Sequence, residues 1–402
     1  MNNQSSLIKK LSKIEKDNLP TVTFFFRHIN DLDFSLPLVL FGANARIIFY
    51  QTISSKDRRI QLLKDHDILI DNLNNSALDM LEVCFDFFLA FLHKVFLKKV
   101  ANTLKLKVEI FICFFLKKAM KDLIKTKNIF QDVNIFSFDH TSCMKSKTLI
   151  KMLRNECPKN SKINIISLPH GANIFKNRMI DFAQIDLASS IEDYNHFDYV
   201  ICNDQRHFDT MDGQKTILDS LRYTPEWQHY LDSYGIKPPK ESNNTSEVSL
   251  LFLLSKFEGG LNISEVQRAI NIIQKFSNIK LKIKPHPRGL RELNKLNTFN
   301  AEIVSGDVQE QIALADCLIN IQSNAVFDAY LQNKPVIFPA YMTANDWIED
   351  VKKHALVANT PDDFFKYIQN ISNKEFPKTS NYQFISWGKA MEKWTTFFSS
   401  LT

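Results

Sequence analysis

Glycine is scarce in this chain, with nine in 402 residues where about 28 would be expected at the usual share of roughly 7%. A dinucleotide fingerprint needs three glycines in one short turn, and a phosphate loop needs a Gly-Lys-Ser/Thr ending; neither occurs. Cysteine is no more informative. Cys84, Cys113, Cys143, Cys157, Cys202 and Cys317 are scattered, with no Cys-x-x-Cys pair and no histidine at metal-ligand spacing. The expectations are no structural zinc, no bound metal, no resident cofactor and a reducing, cytoplasmic setting. Long apolar runs are missing as well. The longest uncharged stretches, such as Phe34 to Ala45, fall well short of the roughly 18 residues a membrane span needs. Met1 to Asp17 is polar and lysine-rich, without the apolar centre of a signal peptide.

What is present describes an ordinary globular chain, 45% hydrophobic and 23% charged, with two domains as the default for its length. Lys+Arg 50 against Asp+Glu 44 leaves a formal +6. That mild excess suits a phosphate-bearing ligand or an anionic membrane surface, and is too small to argue for nucleic acid.

From Thr21 short apolar runs alternate with longer helical ones. Val22 to Phe26, Ala45 to Tyr50, Ile68 to Asp71, Val133 to Phe138, Ile163 to Leu168 and Tyr199 to Cys202 read as strands, and Asp31 to Phe41 as a helix. This is the rhythm of a parallel α/β sheet, interrupted over about 73–125 by a helical insertion dense in Phe and Lys. KPPKESNNTSE at Lys237 to Glu247 is polar and unpatterned, a linker between a first domain, 1–236, and a second, 248–402. The second resumes with Val248 to Leu254, a helix capped by Ser264, and Ile279 to Lys284, followed by further strand–helix units to Phe338. A last helix around Lys389 to Phe398 lies beyond this unit and is a candidate to pack back across the first domain.

Ligands of open parallel sheets bind at the carboxyl ends of the strands, so polar residues there weigh most. Lys284-Pro285-His286-Pro287-Arg288-Gly289 holds an imidazole between two prolines and two cations, a rigid donor for a phosphate oxygen; a plain proline turn is the competing reading. Gln322, Ser323 and Asn324 follow another strand and open a helix; they could hold an anion, or Ser323 could serve only as an N-cap. Glu258, Gly259 and Gly260 leave room for a ribose or base. In the first domain, Pro169-His170-Gly171 ends a strand, Asp139 ends another, and Asp31 and Asp33 follow the first. Each is a candidate base, with helix capping as the ordinary alternative for the carboxylates.

The order PHG at Pro169 to Gly171, KPHP at Lys284 to Pro287 and QSNAVFDAYLQNKPVIF at Gln322 to Phe338 resembles GT-B transferases of bacterial surface polymer synthesis. It looks most like CDP-glycerol glycerophosphotransferases, and polysialyltransferases and capsule Kdo transferases share a similar His-Pro loop and serine. The resemblance covers roughly Ile163 to Phe338. It implies an α/β fold of two Rossmann-like domains facing a cleft. It also implies a cytidine-activated donor held by His286 and Ser323 with Lys284, Arg288, Gln322, Asn324, Glu258 and Gly259 around it, and a base, with His170 ranked above Asp139 and Asp31. Where the glycerophosphotransferases carry an aromatic, arginine-bearing loop, this chain has Ser255-Lys256-Phe257-Glu258-Gly259-Gly260, closer to an acidic motif of the sialyltransferase type.

The leading expectation is therefore a metal-independent glycosyltransferase of capsule or lipopolysaccharide synthesis. It would move a sugar from a donor of the CMP-sialic acid or CMP-Kdo type to a glycan or lipid-linked glycan. A polyol-phosphate transferase, a nucleotide-sugar 2-epimerase and a non-catalytic polysaccharide-binding partner are the alternatives. In the insertion, Phe85, Phe87, Phe88, Phe91, Phe96, Phe111, Phe114 and Phe115 alternate with Lys94, Lys98, Lys99, Lys105, Lys107, Lys117, Lys118 and Lys121. The default for such a stretch is a helix pair with its phenylalanines in the core; the other reading is a helix lying on the inner face of the membrane.

Overall fold

Apolar runs too continuous for a half-exposed strand mark the centre of each of two sheets, because a parallel strand is covered on both faces. The computed structural model describes residues 20–27, 29–50, 53, 57–73, 84–85, 88, 98–139, 143–169, 195–203, 208, 213–233, 247–255, 260–286, 293–344, 346–376 and 382–402. Its first part runs β1 (Thr21–Phe26), α1 (Leu32–Phe41), β2 (Asn44–Phe49), α2 (Arg58–Asp65), β3 (Leu69–Asn72), α3 (Lys98–Lys127), β4 (Val133–Asp139), α4 (Met144–Glu156), β5 (Lys162–Leu168), β6 (Tyr199–Cys202) and β7 (Lys215–Ile217). Its second part runs α5 (Pro225–Ser233), β8 (Val248–Leu254), α6 (Ile263–Ile273), β9 (Ile279–Pro285), β10 (Glu302–Ile303), α7 (Val308–Ala313), β11 (Cys317–Asn320), α8 (Ala325–Leu331), β12 (Val336–Pro339), α9 (Glu349–Lys352), β13 (Leu356–Ala358) and α10 (Pro361–Ser372), followed by α11 (Trp387–Leu401).

The first sheet has seven strands in the order β3-β2-β1-β4-β5-β6-β7, and the second has six in the order β10-β9-β8-β11-β12-β13. Every pairing within them is parallel. Both are doubly wound: the chain steps outward from a central strand, then crosses back and builds the other side. The strand order reverses between β1 and β4 in one sheet and between β8 and β11 in the other.

The two compact units are not divided at the polar linker. Among the described residues the second runs from Tyr223 to Ile385, and Ser386–Thr402 belongs with the first sheet. The reason is the apolar face of α11, which buries Trp387, Trp394, Phe398 and Leu401. Trp387 meets Phe41 edge to face at 5.7 Å, Trp394 Nε1 donates to the carbonyl of Asp219, and Lys162 Nζ and Asn164 Nδ2 both donate to that of Leu401. A grouping of 248–402 as one domain therefore breaks at Ser386.

Local signals explain the helix starts. Asn262, not Ser264, caps α6, its side chain accepting from the amides of Ser264 and Glu265. Thr360 and Asp363 form a capping box on α10, with Pro361 at its first position. Within 73–127, Lys98–Lys127 forms α3, which presses Ile112, Cys113, Leu116 and Met120 into the core of the first unit. Phe111, Phe114 and Phe115 of α3 are exposed rather than in the core, because the core is filled from the opposite side of the helix; Phe87, Phe91 and Phe96 lie outside the described residues.

Candidate functional site

The reversal points of the two sheets are where the fold opens a crevice between diverging strand connections, and chemistry-bearing residues collect at both. In the first unit, Phe25 is level with Phe138, and Phe26 with Phe49. This puts Asp139, at the end of β4, one strand away from the residues that follow β1, among them Asp31. Both carboxylates are buried, at 2% and 3% exposure. Asp31 occupies the residue before α1 but makes no side-chain capping bond. Instead its Oδ2 accepts from the amide of Arg27 at 3.1 Å, so the capping alternative does not describe it.

Tyr50 follows β2 at the same edge, its amide donating to the carbonyl of Phe26. Its ring is fully buried, and its hydroxyl has no hydrogen-bond partner. Burial, and after it the nearby Asp139, Cys143 and Asp31, holds the phenol well above its usual pKa, with Arg27 opposing them. The Tyr50 hydroxyl thus keeps its proton at neutral pH. Sequence reading took it as the last apolar residue of a strand; the signal it overlooked is that the position lies just past the strand end.

Asp33 is differently placed. Arg59 Nη1 lies 2.5 Å from one of its oxygens and Arg222 Nη1 3.8 Å from the other, which leaves it a structural anion. Asp57 holds the other side of Arg59 at 2.8 Å and caps α2 by accepting from the amide of Arg59. Burial would raise the Asp57 carboxyl, but the hydrogen bonds and charge of Arg59 outweigh it and hold it below the usual range.

In the second unit the corresponding edge carries hydroxyls, amides and an imidazole. β8 ends at Leu254, level with Pro285 of β9, while Leu253 is level with Asn320 of β11. Ser255, His286 and Ser323 thus follow three adjacent strands. The amide of His286 donates to the carbonyl of Leu254 at 2.8 Å, continuing the ladder past the strand. Ser255 is buried and its hydroxyl has no hydrogen-bond partner. In the sequence, its loop draws attention to Glu258, Gly259 and Gly260 and not to Ser255.

The turn after β11 is held rigidly. Fully buried Asn320 donates to the carbonyl of Ser323 at 2.7 Å and accepts from its amide at 3.0 Å. Trp347 Nε1 donates to the carbonyl of Ile321 at 2.7 Å, and Gln322 Nε2 donates to Thr343 Oγ1 at 2.9 Å. Asn324, not Ser323, stands in the cap position of α8, without a side-chain capping bond; Ser323 Oγ accepts from the amide of Ala325. Asp328 of the same motif is fully buried and receives Gln309 Nε2 at 2.8 Å, a structural role. Lys284 Nζ donates to the carbonyl of Gly306 at 2.7 Å, and burial lowers its pKa against the pull of Asp307.

Gly260, at φ 80°, needs its missing Cβ: it closes a turn whose carbonyl accepts from the amide of Ala344. His170, Arg288, Glu258 and Gly259 lie outside the described residues. Among the described residues no group of three or more His, Cys, Asp or Glu side chains is placed to share a metal ion.

No family model matches this sequence, and no curated protein is similar to it. Solved structures are. The UDP-GlcNAc 2-epimerase from Neisseria meningitidis bound to UDP-GlcNAc aligns with a TM-score of 0.56 at 10% identity, over 94% of this chain and 100% of that one. MnaA of S. aureus with UDP gives 0.53 at 11%, over 96% and 98%. A putative UDP-N-acetylglucosamine 2-epimerase from Listeria monocytogenes gives 0.50 at 10%, over 93% and 94%. At such identities the likeness shows the fold: an α/β protein of two Rossmann-like units with the GT-B architecture, one that enzymes using nucleotide sugars share.

Proposed function

We propose that this chain is a glycosyltransferase of bacterial capsule or lipopolysaccharide synthesis, transferring a sugar from a CMP-activated donor to a glycan or lipid-linked glycan at the inner face of the membrane. The observation that carries the reading is the division of polar residues between the two reversal points: buried carboxylates Asp31 and Asp139 with Tyr50 at one, and His286, Ser323 and Ser255 after three adjacent strands at the other. The second set is suited to the phosphate of the donor, with Gln322 and Asn324 beside it; Arg288, Glu258 and Gly259 complete it by resemblance to related transferases.

The first set is suited to the acceptor. Asp139 takes the proton of the acceptor hydroxyl as its oxygen attacks the anomeric carbon of the donor. The bond from that carbon to the phosphate oxygen breaks, and CMP leaves with the bonding electrons. Hydrogen bonds from His286 and Ser323 take up the charge that develops on the phosphate. His170, after β5, is the competing base.

A panel of CMP, CDP, UMP, UDP and GDP in a thermal-shift assay tests the donor, since a ligand at 100 times its Kd stabilises by about 2.7 kcal/mol. CMP is expected to raise the melting temperature most. The fold neighbours with UDP or UDP-GlcNAc bound favour one second reading, a UDP-sugar 2-epimerase. A shift with UDP alone, together with conversion of a UDP-sugar in the absence of any acceptor, would replace the transferase reading with that one.

A further inference from the structure

The outward side of α3 is built the wrong way round for a helix that ends in water. Leu106, Ile110, Phe111, Phe114 and Phe115 are all exposed, Ile110 at 55% and Phe114 at 64%. They occupy about two and a half turns, or ~14 Å at 1.5 Å per residue. The rings touch one another, Phe111 to Phe115 at 4.8 Å and Phe114 to Phe115 at 5.7 Å between centroids, forming a continuous apolar ridge. The opposite side of the same helix already fills the core of the first unit with Ile112, Leu116 and Met120, so the ridge is not a core face displaced by one residue.

Charge says what covers it. Exposed Lys105, Lys107, Lys117 and Lys118 flank the ridge at both ends, and Lys125 and Lys127 extend the positive side along the last turns. The acids on this helix are Glu109, half-buried, and Asp122. Aromatic and aliphatic side chains at the centre with lysines around them match the layering of an anionic bilayer surface, where rings enter the boundary between headgroups and acyl chains and ammonium groups meet phosphates. Among the described residues no helix is long and apolar enough to cross a membrane; a helix lying flat on one needs no such length.

We propose that the ridge Leu106–Phe115 of α3, with its flanking lysines, is a docking surface for anionic lipid. This deepens, and rests on, the peripheral-membrane part of the function proposed above, and it is independent of the chemistry there. The test is co-sedimentation of the full chain with phosphatidylglycerol-containing vesicles and with pure phosphatidylcholine vesicles, at low and high salt. The wild type is expected to bind the anionic vesicles at least about tenfold better, and to lose that preference as salt rises. Phe111→Ser with Phe114→Ser should reduce binding to both, and Lys117→Glu with Lys118→Glu should remove only the anionic preference. No binding to anionic vesicles at low salt overturns the proposal. So does wild-type binding by the phenylalanine variant, or a dimer in light scattering that the same variant dissociates. The nucleotide panel on that variant separates the two ideas: retained nucleotide shifts with lost vesicle binding support the surface, whereas absent shifts in the wild type with intact vesicle binding overturn only the chemistry.

Discussion

The two reversal points share one topology and differ in chemistry. Around β1 and β4 the edge is acidic and closed, with two carboxylates and a phenol at 3% exposure or less. Around β8 and β11 it is neutral to basic, with backbone turns clamped by Asn320 and Trp347. Strand order fixes where a ligand can meet a sheet; the few residues after each strand decide what kind of ligand it is. Under the proposed function the donor phosphate meets the second edge, where no carboxylate stands among Ser255, His286 and Ser323, and the acceptor hydroxyl meets the carboxylates of the first.

The strongest way to break this division is Asp139→Asn. If the first edge supplies the base, turnover should fall by about 10² to 10⁴, with the CMP-induced thermal shift unchanged. Full activity in that variant with loss in His170→Ala would move the base to the loop after β5 and favour a polyol-phosphate transferase. His286→Ala and Ser323→Ala probe the other edge. Each should weaken nucleotide binding by about 1 to 3 kcal/mol in titration calorimetry while leaving the melting temperature of the free protein nearly unchanged. Equal affinity in both would remove the phosphate from this edge.

Tyr50→Phe sharpens the contrast. The phenol makes no hydrogen bond in the free protein, so deleting it should leave stability unchanged or raise it by up to about 1 kcal/mol. A fall of about tenfold in turnover would show that the hydroxyl meets its partner only when substrate is bound; unchanged turnover would make it a core residue. The smallest effect is expected at Asp57. Its carboxyl is depressed in the folded state, so its contribution is present above the usual carboxylate pKa and lost as pH falls through the depressed value. Arg59→Ala should flatten that acid limb of stability by less than about 1 kcal/mol, since solvent screens the pair; an unchanged limb in urea melts would assign the acid response to other carboxylates.

Much of this was legible in the sequence for a physical reason. Val248–Leu254 is apolar at nearly every position, a pattern only a strand covered on both faces tolerates, and the strand ends point to the edges at once. Tyr50 was not legible, because an aromatic residue closing an apolar run carries the same pattern whether it fills a core or lines a site. Nor was the outward turn of Phe111 and Phe114, since α3 is apolar on both sides and periodicity cannot say which one packs. Asn262 and Ser264 are equally good caps two residues apart, and only the chain path into α6 distinguishes them. The split of the units at Tyr223 has no composition signal; Asp219, just before it, is tied to Lys393 and Trp394 of α11, 174 and 175 residues along the chain.

That helix also fixes the order in which the molecule can be finished. The carbonyl of Leu401 accepts from Lys162 across a sequence separation of 239, and Trp394 closes on Asp219 across 175, with Tyr223–Ile385 of the second unit between them in sequence. A ribosome releases the strands of the first sheet early, yet the cover over them arrives last. The described part of the second unit, Tyr223–Ile385, is one stretch of chain and is made before the helix that completes the first. Loops this long slow folding, and domains form as units during synthesis. The first unit, begun before the second, is therefore completed only once Ser386–Thr402 has been made.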